Sequence, residues 1–164
     1  MLSMQLDAFE WGFAFEIIVI TIQTIPAVDM DPPLLPLFAM ITSTTLLTTG
    51  LMLVFPFFFY HLQMKVPFRV SSLPAGHVAH PAVFTIIEDI IAVDGGGNTN
   101  YREELVARYD ASPLFRRMLN RLDAFWGFGA ILCGGIVTTL LWTLPDTIGY
   151  GIGVFRPLAL RLPH

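Results

Sequence analysis

Residues 32–64 read PPLLPLFAMITSTTLLTTGLMLVFPFFFYHLQM, and no formally charged residue falls between Asp31 and Lys65. A helix over Leu37 to Leu62 alone would be about 39 Å long at about 1.5 Å per residue. A bilayer's hydrocarbon core is only about 30 Å thick, so 34–62 is predicted to be a transmembrane helix with room to tilt. Ala124 to Pro145 is likewise free of charge and predicts a second transmembrane helix over 124–145. Together they set the class: an all-α integral membrane protein, with two transmembrane helices, a candidate third at the N-terminus, and an amphipathic helical loop over 63–123.

The composition agrees. The chain of 164 residues is 54% hydrophobic and 13% charged, with a mean hydropathy of +0.65, too little charge for an ordinary soluble domain. A net charge of −4 argues against nucleic acid, whose binders gather Lys and Arg on one face. The single Cys133 excludes an intramolecular disulfide. No Lys or Arg precedes Lys65, so a secretory signal's basic region is lacking.

Segment 1–31 admits two readings. Asp7 with Glu10 suits a helix cap, and Phe9, Trp11, Phe13 and Phe15 precede the apolar run Ile17 to Ile25. Trp11 to Val28 either spans the membrane or lies on its surface; Glu16 disfavours a lipid-facing span. The segment is expected to end at Pro26, before the turn at Asp29 to Pro33.

In the first span, Thr42, Thr45 and Thr49 share a stripe, with Thr44 and Thr48 beside it. Their hydroxyls are expected to bond back to carbonyls one turn earlier. Pro56 predicts a kink. Phe55, Phe57, Phe58, Phe59, Tyr60 and His61 form an aromatic belt anchored by Lys65 and Arg69.

The loop carries seven of the nine basic residues, which predicts that it faces the cytoplasm and that the C-terminus lies on the opposite side. Helices are expected over 81–93 and 100–122. In the first, Val83, Ile86, Ile87, Ile90 and Ile91 make one face, opposite Glu88 and Asp89, and Gly95 to Gly97 stop it. In the second, Asn100 with Glu103 suits a cap, Glu104 and Arg108 pair at i, i+4, and Ser112-Pro113 restarts the helix. Arg116, Arg117 and Arg121 then alternate with apolar residues, as on a helix that lies at an anionic lipid surface and runs on into the second span.

That span has two small-residue ridges, Ala130, Gly134 and Thr138 on one line and Gly135, Thr139 and Thr143 on the next. Small residues allow the close backbone approach that holds membrane helices together. Trp126 and Trp142 stand about 24 Å apart along the helix, one near each interface. The glycine-rich, apolar tail 146–164 is expected to rest on the bilayer or on another subunit.

Two histidine sets are candidate ligand sites. His77 and His80, ahead of Glu88 and Asp89, have residue types that bind zinc or iron. His61, among Phe and Tyr, has the setting of an axial ligand to haem or a (bacterio)chlorophyll-type macrocycle. No catalytic set stands out. Asp94 to Asn98 lacks the lysine and spacing of a phosphate-binding loop, and the chain shows no repeat of the transporter kind. These readings predict a non-enzymatic accessory subunit of a photosynthetic or respiratory membrane complex, whose partners are other subunits, lipids or pigments. The alternative is a small membrane redox protein using His61 or His77 with His80.

Overall fold

The computed structural model describes residues 8–31, 34–91 and 98–144. Asp7, the glycines of the 94–98 turn, residues 92–93 and the 146–164 tail lie outside the described residues. Among those described, the chain is all-helical: α1 is Ala8–Asp29, α2 Leu35–Ala39, α3 Ile41–His61, α4 Ala82–Asp89, α5 Asn98–Ala111 and α6 Pro113–Thr143. Three of these, α1, α3 and α6, are long and apolar enough to cross a membrane. The N-terminal segment is thus a helix of spanning length, and it continues through Pro26 to Asp29. Pro26 falls in the last turn, where its missing donor and its ring disturb only a little of the helix before it ends.

The three long helices alternate in direction. Gly50 of α3 approaches Gly127 and Ile131 of α6, Gly134 of α6 approaches Leu47 and the Ser43 carbonyl, and Trp142 reaches Met40. Helices α3 and α6 therefore run antiparallel along their whole common length. On the other side, Gly12 of α1 meets Met52. The Gln23 side chain joins α1 to the α2–α3 segment by donating to the Leu37 carbonyl at 2.8 Å and accepting from the Thr44 hydroxyl. The 30–34 turn brings the Leu34 N–H to the Ala27 carbonyl at 3.1 Å.

Local chemistry sets the helix ends. Helix α3 stops where Gln63 adopts a left-handed φ of 52°. The Gln63 N–H then donates to Tyr60 and the Met64 N–H to Phe59, the paired bonds of a Schellman ending. Ser112 caps α6, its hydroxyl accepting from the Phe115 N–H at 3.3 Å, and Pro113 follows at the first position, where its missing N–H costs nothing. From there α6 runs unbroken for 31 residues, about 46 Å. Its first two turns project past the end of α3, and residues 63–91 and 98–112 fold over that end as a cap.

Candidate functional site

The cap is built around α4. Its N-cap residue, Pro81, makes no side-chain cap bond, so the first turn leaves backbone donors needing acceptors. Asp123 of α6 supplies them from 40 residues away in sequence. Its two carboxylate oxygens accept from the Ala82 N–H at 2.7 Å and the Val83 N–H at 2.8 Å, and the residue is 0% exposed. A carboxylate at a helix N-terminus also meets the positive end of the helix dipole.

The other end of α4 is held by charge. Glu88 and Asp89 are both buried, and the Arg102 guanidinium of α5 lies 3.4 Å from one and 3.7 Å from the other. The Ser71 hydroxyl donates to Asp89 at 2.8 Å, and Ser72 donates to Glu88. Helix α4 thus turns Phe84, Glu88 and Asp89 inward, while Ile90 and Ile91 are exposed. The face expected from periodicity is buried in part: Val83 and Ile87 pack against the cap's core and Ile86 is half-buried. What periodicity does not show is that Glu88 and Asp89 are buried as well, because one guanidinium serves both carboxylates.

Between these ends Phe84, Leu105, Tyr109 and Leu119 form the cap's core. The His80 ring packs against Phe84 at 4.6 Å and Tyr109 at 4.7 Å, and burial holds its pKa below the usual histidine value against the pull of Asp110. Burial likewise pushes the Tyr109 phenol up, aided by Tyr60. His80 is a neutral packing residue at neutral pH.

Burial is also the largest influence on Glu88, and it outweighs Arg102 and Ser72 to raise its pKa. The folded state therefore holds this proton more tightly than the unfolded chain. The stability Glu88 contributes is full below the ordinary glutamate pKa and is lost as pH rises through the raised one. A Glu88→Gln variant should lose less melting temperature than the parent between about pH 4 and pH 7; equal slopes would mean that Glu88 is as well solvated folded as unfolded.

The histidines are dispersed. His61, exposed at the end of α3, has its Nε2 2.9 Å from the Asn120 amide and its ring 4.4 Å from Phe57. The His61 Nε2 thereby joins the end of α3 to α6. His77 is exposed and His80 is enclosed by rings. Among the described residues no group of three or more His, Cys, Asp or Glu converges as metal ligands.

The three arginines of α6 separate. Arg116 donates to the Tyr109 and Asp110 carbonyls at 3.2 and 3.0 Å and so closes the C-terminal turn of α5. Arg117 and Arg121 are exposed, one turn apart, on the stripe shared by Leu114, Met118 and Phe125. Trp126 and Trp142 are both largely exposed, and the Trp142 indole N–H donates to the Met40 sulfur at 3.0 Å.

Of the packing residues, Gly134 lies in the α3–α6 interface, whereas Gly135 faces open space. The Thr138 and Thr139 hydroxyls donate back to the Gly134 and Gly135 carbonyls; Ala130 and Thr138 are half-buried and Thr139 exposed. The interface line on α6 is Asp123, Gly127, Gly134 and Leu141, all buried, matched by Gly50 on α3. Gly50, Gly127 and Asp123 escape a search for four-residue spacing within one helix. The seven-residue step from Gly127 to Gly134 to Leu141, which marks helix packing at a shallow angle, would have found three of the four positions.

No curated protein and no solved structure matches the chain. A family model, described as a domain of unknown function (DUF8766), matches residues 2–161. The chain, with its three long apolar helices and the cap locked to them by Asp123, belongs to that family.

Proposed function

We propose that this is a three-span integral membrane protein acting as a non-catalytic subunit of a larger membrane complex, in its narrowest form an energy-transducing one of the photosynthetic or respiratory kind. One observation carries the reading. Apolar exposure does not stop where the helix pair stops: on the cap Phe68 is 66% exposed, with Met64, Ile90 and Ile91, and at the same end of the bundle Leu62 and Leu114, at 78%, are exposed as well. Lipid tails can cover the helix flanks, but apolar side chains beyond the bundle end need a protein neighbour or the headgroup boundary. The buried ionisable groups of the cap support the same reading, because Asp123, Glu88 and Asp89 are engaged in holding α4.

The test is extraction from native membranes in mild detergent. The reading expects the chain in a band much larger than itself, with stoichiometric partners, and with a haem or chlorin absorption if the host is energy-transducing. A lone colourless monomer would overturn it.

The cap belongs on the cytoplasmic side by its arginine content; α1 then starts on that side, and Asp29 and Asp31 lie on the other. Arg117 and Arg121 stand at the level of the lipid phosphates, where each basic residue contributes about 1 kcal/mol toward an anionic surface. Arg117→Ser with Arg121→Ser should shed co-purifying anionic phospholipid, read by mass spectrometry, and leave the melting temperature unchanged. Arg116→Ala should do the reverse, costing about 1–2 kcal/mol for the lost charged hydrogen bonds with lipid retained.

A further inference from the structure

The face of α1 that meets the rest of the bundle is Gly12, Glu16, Gln23 and Ala27, spaced as one helical line. Gly12 and Ala27 are buried. Gln23 is satisfied by Leu37 and Thr44. Glu16, between them, is half-buried, and among the described residues its carboxylate has no hydrogen bond or ion pair.

Its depth makes this consequential. Glu16 is six residues from Glu10 and thirteen from Asp29, about 9 Å and about 20 Å along the helix. In the proposed membrane setting it lies within the hydrocarbon region. An ionisable side chain there faces a protein neighbour or a polar cavity and takes an opposite charge as partner. The described residues have none to offer at that depth: no Lys or Arg precedes Lys65 and none falls in α3 or in α6 after Arg121, while Arg156 and Arg161 lie outside the described residues. The Thr48 hydroxyl, one α3 donor near this level, is committed to the Thr44 and Thr45 carbonyls.

We propose that Glu16 is the docking residue for a basic side chain, Lys or Arg, on a membrane helix of a neighbouring subunit, which reaches into the seam between α1 and α3. The inference rests on the subunit reading above. It adds the chemistry of the contact: a long cationic side chain whose stem crosses the exposed apolar flank of Phe13, Leu51 and Phe55 before its head meets the carboxylate. Long basic side chains extend in this way, with the stem on apolar surface and the charge at a polar point.

The experiment compares wild type, Glu16→Gln and Glu16→Asp, each as the full chain expressed in native membranes. Band size on a native gel is read together with the thermal melt of the isolated chain. The proposal expects about tenfold or greater loss of the assembled band for Glu16→Gln, partial retention for Glu16→Asp, and an unchanged melt for both isolated chains. Full assembly of Glu16→Gln beside an assembled wild type would overturn this contact and leave the subunit reading standing. A wild type that migrates alone would overturn both. Loss of the melt together with loss of assembly would make Glu16 a structural residue of α1 and also overturn the contact.

Discussion

Replacing Asp123 with Ala should cost roughly 3 kcal/mol or more, since each buried donor left without an acceptor costs about 1–3 kcal/mol. Two such donors, the Ala82 and Val83 N–H groups, depend on this one carboxylate. The removed side chain also leaves a void where nothing is exposed to solvent. Asp123→Asn keeps one acceptor and turns an amide donor toward the other N–H, so it should fall between Ala and wild type. The loss should be local before it is global: with its first turn uncapped, α4 should leave α6, and residues 63–91 and 98–112 should become sensitive to protease while α3 and α6 stay paired. A variant as protease-resistant as the parent would mean that α4 is held by its Glu88, Asp89 and Arg102 end alone.

The second large effect is expected at Gly127. A Cβ there would stand 2.6 Å from a Val54 methyl and 3.2 Å from both the Leu53 Cβ and the Val54 backbone nitrogen. Backbone cannot give way as a side-chain tip can, so the helices must separate. Gly127→Leu should destabilise the α3–α6 pair by at least about 2 kcal/mol, in the range of overpacked cores, measured by unfolding in mixed detergent micelles. Gly135→Ala and Gly129→Ala are the controls. Both glycines face open space, so these variants should be neutral or slightly stabilising, by up to about 1 kcal/mol from helix propensity.

That contrast shows how far the sequence can be read. Helix length and apolar content follow from the absence of charge over long runs, and three helices of spanning length are what the fold contains. The rotation of α6 about its axis is different. The lines through Ala130, Gly134 and Thr138 and through Gly127, Gly134 and Leu141 both pass Gly134, and spacing within α6 cannot choose between them. The choice is made by Gly50 on α3 and by Asp123, which must point at the first turn of α4. Both are long-range facts.

The acidic face of α4 escaped for a related reason. Glu88 and Asp89 look like a solvent face until Arg102, thirteen residues on, is placed between them. By position alone Asp123 is the last charged residue before the uncharged run from Ala124, and its work as a cap is visible only once Pro81, without a capping side chain, lies beside it. The histidines show the converse. His61 and His80 have residue types that suit ligands, and the neighbours they meet, Asn120 for one and Tyr109 for the other, are distant in sequence. Ligand-type residues in a sequence therefore needed the packing around them before their chemistry could be judged.

Whether the exposed apolar side chains at the cap end of the bundle meet protein decides the subunit reading. A photo-crosslinking side chain at Leu114, the most exposed of them, irradiated in native membranes, tests this most directly. The account predicts one discrete adduct of a second polypeptide, the same partner that co-migrates on the native gel, and loss of that adduct when the complex is dissociated. Crosslinks to lipid alone, in membranes where the chain is at native abundance, would contradict it.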